Sequence, residues 1–366
     1  MSDTLTATVP LSGSPSAMYP LLKPSTQHPP LRVALVADMS IDYPGGHCIQ
    51  SILQRRKSVG VDLFISVGDV AYNADDDCGD RGDDFFRALQ PLTSAMPSVF
   101  VVGDHEGFRK DIDNDCRTRT GYDYEAYRNR MGESTWAGQL TLAHASSSGS
   151  AFYFSWDTRL VHWVAINTNA WVYACQYWML RPQFQFLEAD LQAVDRKKTP
   201  WVVLLAHRGM YCVNSNSSEC NQDSESMRHG VPEHAYRNNI GMRDWAGPVK
   251  GQANMYGLEA LLQRFRVDLV YSGHSHHYER SFPSRDGVPV QYDTNSPRAP
   301  VYVVGGMSGQ VPDPFRLPPA AFTAYRDASY ATSWSHVTIL DANTLLFEQV
   351  AAQNGTVFDS FRIVKP

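Results

Sequence analysis

Five apolar, β-branched runs in this chain each end on a carboxylate or an imidazole. Residues 31–37 run into Asp38, 62–67 into Gly68-Asp69 with Tyr72 close behind, and 97–102 into Gly103-Asp104-His105-Glu106. Further on, 201–206 runs into His207-Arg208, and 268–272 into Gly273-His274-Ser275-His276. Such runs read as buried strands, and an open α/β sheet presents its ligands at the carboxyl ends of its strands. One Gly-Asp at a strand end is usually only a turn. Five such blocks in order require a fold that gathers Asp, His and Tyr side chains at one edge.

The stretches between them support that architecture. Residues 48–58 and 83–89 read as helices between the first three strands, a βαβαβ rhythm that gives parallel strands. Residues 151–156 and 160–167 read as a strand pair. Residues 181–196 form an amphipathic helix with Phe184, Leu187, Leu191 and Val194 at helical spacing. A helix at 257–265 precedes the fifth strand, and β runs follow at 301–304, 336–340, 344–350 and 356–364. The pattern predicts an α/β protein, a four-layer α/β/β/α sandwich of two mixed sheets flanked by helices. Residues 31–366 read as one catalytic domain. Residues 1–30, rich in Ser, Thr and Pro, read as a disordered tail.

Composition excludes some functions and leaves others open. The chain has 366 residues and a formal net charge of -6, with no long basic run, so a nucleic-acid backbone is not an expected partner. No run of about 18 apolar residues is present, so no membrane span is expected. The six cysteines form no zinc-type C-x-x-C pair. Cys212 and Cys220 flank a polar loop suited to a local disulfide, and Cys78 and Cys116, both in acidic loops, form a second candidate pair. Sequons stand at Asn216 and Asn354, candidate N-glycan sites. Together these features point to a secreted or lysosomal/vacuolar protein, although no signal peptide is visible.

The residue types suit phosphoester hydrolysis at a two-metal site. Such a site needs one carboxylate bridging two ions roughly 3.5–4 Å apart, further hard or borderline ligands on each ion, and a position where a metal-bound hydroxide can attack phosphorus. At these blocks the chain resembles the purple acid phosphatases, within the calcineurin-like metallophosphoesterases. Their pattern runs Asp-x-Gly, Gly-Asp-x-x-Tyr, Gly-Asn-His-Glu/Asp, a strand-end His, and Gly-His-x-His. Flanking words agree, in Ala206-His207-Arg208-Gly209-Met210-Tyr211 and in Gly273 through Arg280. The resemblance covers residue 31 to the C-terminus and implies the calcineurin-like metallophosphoesterase fold.

By that resemblance, Asp38, Tyr72 and His276 hold a ferric ion, Asp69 bridges, and Asp104, His207 and His274 hold a divalent ion (zinc, iron or manganese). Tyr72 points to the iron-tyrosinate branch. His105 is implied as a catalytic histidine near the phosphate, and His229 as another on the substrate side. The implied reaction is acid-phosphatase hydrolysis of small phosphorylated substrates, phosphomonoesters or phosphoanhydrides. The alternatives are a phosphodiesterase of the same superfamily and a non-catalytic binding protein on a retired phosphatase fold. Two positions depart from the pattern: Ser40 replaces Gly, and Asp104 replaces Asn. An ionised Asp104 would cancel one more positive charge of the metal core, weakening phosphate inhibition and raising the pH optimum relative to Asp104→Asn. His144, His162, His234 and His336 read as structural or surface residues, and His277 is expected to point away from the metals. The Asp75–Asp77 run reads as a solvated loop. Larger plant relatives carry an N-terminal β-sandwich of about 100 residues, which the stretch before residue 31 is too short to form.

Overall fold

The protein's architecture is that of a computed structural model in which residues 29–42, 46–107, 124–131, 148–211, 218–238, 253–329 and 332–366 are described. In chain order the strands are β1 (Leu31–Val36), β2 (Leu63–Val67), β3 (Ser98–Val101), β4 (Phe154–Thr158), β5 (Val161–Ile166) and β6 (Trp201–Arg208). Then come β7 (Val231–Pro232), β8 (Asn254–Met255), β9 (Leu269–Gly273), β10 (Tyr278–Ser281), β11 (Ser284–Arg285) and β12 (Val288–Pro289). The last are β13 (Val301–Gly305), β14 (Thr323–Asp327), β15 (Ser333–Ile339), β16 (Thr344–Ala351) and β17 (Val357–Val364).

Two mixed sheets result. One has the order β17-β16-β15-β1-β2-β3, the other β14-β10-β13-β9-β6-β5-β4. β1, β2 and β3 are parallel, as the βαβαβ rhythm requires, and β15 closes on β1 antiparallel. In the second sheet β5, β6, β9 and β13 are parallel, while β4 pairs antiparallel with β5. Strand alternation separates the layers. Val33 and Leu35 of β1 join Ile65, Trp163, Leu205, Tyr271 and Phe347 in a core built from both sheets. Ala34 and Val36 instead join Ile52, Phe85 and Leu89 of the helices. The outer face of the second sheet, with Val164 and Leu204, packs with Leu180, Leu187 and Leu262.

The helices run Gly46–Ser58, Asp80–Thr93 and Tyr177–Ala193, the last two longer than their periodicity predicts. Each carries a proline, Pro91 or Pro182. A further helix, Ser218–His229, is too polar to show an apolar stripe. β10 and β14 were also not foreseen; each is four or five residues long and makes its pairs only within the assembled sheet. The Cys78–Cys116 expectation fails at Cys78, which is a free, exposed thiol. Cys220 is disulfide-bonded, as is Cys175. Cys116, Cys212, Asn216 and His144 lie outside the described residues. Asn354 is exposed, in the turn between β16 and β17. Among the described residues no helix is long and apolar enough to cross a membrane.

Candidate metal centre

The five blocks converge because parallel neighbours carry their C-terminal ends to the same edge. Asp38 follows β1, Asp69 follows β2 and Asp104 follows β3; His207 lies near the end of β6, and His274 and His276 follow β9. The chain turns sharply at the exits of β1, β2 and β9, with positive φ at Asp38 (59°), Asp69 (53°), Tyr72 (50°) and His274 (67°). Such backbone is costly for non-glycine residues and is held only where surroundings demand it. Gly273 permits the closest approach: a Cβ there would lie 2.2 Å from Asp38 Oδ2.

Asp38, Tyr72 and His276 form one group. The Tyr72 hydroxyl is 3.3 Å from Asp38 Oδ1 and 2.9 Å from His276 Nε2. His276 Nδ1 is 3.2 Å from the Val311 carbonyl. A carbonyl only accepts, so Nδ1 carries a proton and Nε2 is the nitrogen turned toward Tyr72 and Asp38. His207 is fixed in the same way. Its Nδ1 donates to the Val67 carbonyl at 2.9 Å, and Nε2 lies 3.0 Å from Asp69 Oδ2. Asp69, His207 and His274 bring ligand atoms within 4.8 Å of one another.

The acids are buried; Asp38, Asp69 and Asp104 are at most 3% exposed. Burial alone would raise Asp69, but His207 and His105 outweigh it and hold the carboxyl well below its usual range. Burial, then the Asp38 and Asp69 carboxylates, push the Tyr72 phenol well above its ordinary value. Burial opposes a proton on His276, but Asp38 prevails and raises it. Buried acceptors facing one another in this way are stabilised by protons or by cations.

Asp104 has different surroundings. Arg208, 2% exposed, donates Nε–H to Asp104 Oδ1 at 3.1 Å and an Nη2 proton to Oδ2. Nη1 reaches Asp223 Oδ2 and, at 3.0 Å, His274 Nε2, while Nη2 also reaches the Tyr173 hydroxyl at 2.8 Å. His274 Nδ1 lies 3.3 Å from Asp104 Oδ2. Burial holds Asp104 above its ordinary range, and the Arg208 charge offsets only part of that rise. A fixed guanidinium thus faces the position where Asp stands in place of the family's Asn.

His105 sits over the same edge. Its backbone N–H donates to Asp69 Oδ1 at 2.8 Å, and its ring is 4.5 Å from that of Tyr72. Its Nδ1 lies 2.9 Å from Asn73 Oδ1. His229 stands elsewhere in the fold, exposed at the end of its helix and 3.5 Å from Glu225 Oε2; Glu259 and Asp286, not the strand-end blocks, share its ligand cluster. His277 is buried against Phe315 and beside Glu279. His162 and His336 are buried between carboxylates and backbone, as structural residues.

Sequence reasoning gave no role to Glu106, Asn73, Arg208 or Asp313. Glu106 accepts from the backbone N–H of Asp69, Val70 and Gly103 at 2.9, 2.7 and 2.5 Å, pinning two strand exits together. Asp313 Oδ2 accepts from the His276 N–H at 2.8 Å. Glu106 and Arg208 lie inside the signature blocks, so their positions were visible; their contacts were not.

Residues 31–278 match the family described as calcineurin-like phosphoesterase, and residues 299–360 match iron/zinc purple acid phosphatase-like protein C. Acid phosphatase type 7 of Mus musculus is 26% identical over 347 residues, covering 92% of this chain and 68% of that protein. Purple acid phosphatase 22 of Arabidopsis thaliana is 28% identical over 338 residues, covering 88% of this chain and 63% of its own length. The purple acid phosphatase PPD1 from yellow lupin seeds shares the fold, with a TM-score of 0.69 at 21% identity over 96% of this chain and 57% of that one. The chain thus spans little more than half of the lupin protein.

Proposed function

Because the chain belongs to the calcineurin-like phosphoesterases and is purple acid phosphatase-like, we propose that it hydrolyses small phosphomonoesters or phosphoanhydrides at a binuclear metal centre. The observation that carries this reading is the pair of carbonyl-fixed histidines. His207 and His276 each spend Nδ1–H on a backbone carbonyl and turn Nε2 toward the Asp69 and Asp38 carboxylates. Ring nitrogens turned toward carboxylates hold a proton or a cation between them, and these donor types suit hard and borderline ions.

In this reading Asp38, Tyr72 and His276 would hold a ferric ion, His207, His274 and Asp104 would hold zinc, iron or manganese, and Asp69 would serve both. Bound ions would supply Lewis acidity and an activated water. The chain's own residues do the rest. Asp69 orients the His105 backbone and Asn73 holds the His105 ring by Nδ1, while Nε2, 3.9 Å from Asp69 Oδ2, would move a proton at the ester oxygen. The Arg208 guanidinium pairs with Asp104 and so offsets part of the negative charge that this carboxylate brings to a phosphate-binding edge.

Arg208 also favours a second reading. By clamping Asp104 and touching His274, a fixed cation occupies part of the coordination that a second metal needs. A binding protein with one ion, or none, would be built in this way.

One experiment separates the two. Iron-loaded, oxidised protein is analysed for metal content and visible absorption, alongside turnover of a phosphomonoester and a phosphodiester. Two ions per chain, a tyrosinate band lost in Tyr72→Phe and preferred monoester turnover support the phosphatase. Absent iron and absent turnover would overturn it in favour of the binding protein; faster diester turnover would favour a phosphodiesterase.

A further inference from the structure

A second set of ligand-type side chains shares no residue with the strand-end site. His229 ends the helix Ser218–His229, Glu259 lies in the first turn of the helix Leu258–Arg264, and Asp286 sits in the turn between β11 and β12. One ligand atom from each lies within 4.8 Å of the other two. We propose that these three residues form a separate site for a zinc-type divalent cation.

Glu259 carries the argument. It is only 3% exposed, and its Oε1 is already engaged, accepting from the Tyr211 hydroxyl and from the Asp286 N–H at 3.0 Å. Its Oε2 is buried and has no hydrogen-bond partner among the described residues. A buried carboxylate oxygen left unpartnered is costly unless a cation or donor meets it. The nearby cation, Arg228, directs Nη2 to Glu225 and lies over the Tyr211 ring, 4.9 Å from its centroid.

The scaffold holds the three ligands in place. Gly257, just before the Glu259 helix, packs so tightly under His229 that a Cβ would lie 2.8 Å from the His229 carbonyl carbon. The Asp286-Gly287 turn has φ of 51° and 72°, the left-handed pair of a tight hairpin, and this projects Asp286 beside Glu259. One imidazole and two carboxylates are a borderline donor set that suits zinc, with ligand atoms roughly 3–3.5 Å apart around the ion. His229 and Asp286 are exposed and can close that distance by rotation. Through Glu259 and Tyr211 the ion would brace the segment that follows His207 and Arg208. On this inference His229 is a zinc ligand, not a substrate-side histidine.

The test uses the full chain, stripped with chelator, reloaded with Zn²⁺ alone and desalted. Metal is counted in the parent, in Asp69→Asn, and in each combined with His229→Ala and Asp286→Asn. The expected result is one zinc fewer per chain in both combined variants, together with loss of the Zn²⁺-dependent rise in melting temperature that Asp69→Asn retains. Asp286→Asn alone should weaken this zinc by about tenfold or more. Equal zinc counts with and without the His229 and Asp286 substitutions would overturn the proposal. Because Asp69→Asn removes the shared ligand of the other centre, failure of the strand-end site reads out separately.

Discussion

The Tyr72 side and the Arg208 side of the strand-end site handle buried negative charge in opposite ways. Around Tyr72, the Asp38 carboxylate, a phenol and Nε2 of His276 meet, with no guanidinium or ammonium in contact with them among the described residues. Around Arg208, the Asp104 and Asp223 carboxylates meet a guanidinium held by the chain itself. The first side therefore needs protons or an ion from outside to be stable. The second already holds a cation of its own and should keep its geometry when metal is removed. Asp69 and His207 lie between the two and tie them together.

The largest effect should come from the shared ligand. Asp69→Asn is expected to lower phosphomonoester turnover on the order of 10³-fold or more and to cost the centre its metal, read by kinetics with metal analysis. Unchanged metal content would break the idea that the two sides share Asp69.

Stability should divide the sides next. Arg208→Gln leaves two buried carboxylates facing no guanidinium and should cost about 3–5 kcal/mol in urea unfolding of metal-free protein. Asp104→Asn, which still leaves Arg208 its Asp223 partner, should cost less, about 1–3 kcal/mol. Tyr72→Phe in the same metal-free state should stay within about 1.5 kcal/mol, because the hydroxyl shares its single proton between Asp38 at 3.3 Å and His276 Nε2 at 2.9 Å. If Tyr72→Phe cost as much as Arg208→Gln, the contrast would fail.

A subtler difference concerns His105, whose ring is held by Asn73. Asn73→Ala should lower turnover by about tenfold and reshape the kcat/KM pH profile, with metal content unchanged. Asn73→Asp keeps an acceptor and the left-handed backbone; it should move the His105 limb of that profile upward. A profile identical to the parent's in both variants would remove His105 from proton transfer.

The smallest effect lies outside the site and calibrates the rest. Burial works against a charged His162, but the Asp157 and Asp190 carboxylates that bracket it outweigh burial and raise it to about 9. A raised folded-state value contributes stability that is complete below the ordinary histidine value. That stability is lost as pH climbs through about 9. Unfolding free energies from urea titration should fall between pH 7 and pH 10 by at most a few kcal/mol, one pKa unit being about 1.4 kcal/mol. The slope should flatten in His162→Gln.

Much of this was readable in the chain. Apolar runs ending at Asp38, Asp69, Asp104, His207 and His274 located β1, β2, β3, β6 and β9 to within two residues or so, because a buried parallel strand is continuously apolar. The polar helix Ser218–His229 was not readable, since no apolar stripe marks it. β10 and β14 were not readable either, since short strands gain their stability from neighbours already in place.

Local residue types and strand-end positions determined the ligand inventory, because a strand's exit and its last side chain are neighbours in the chain. Partners far apart in sequence were decided only by the tertiary structure. Arg208 meets Asp104 across 104 residues, and His276 meets Tyr72 across 204. Asp286 meets Glu259 only because the β11–β12 hairpin folds back against the helix that begins at Leu258. Whether a buried carboxylate faces a guanidinium, a lone pair or nothing depends on sheet order and helix placement, and local patterning carries no record of either.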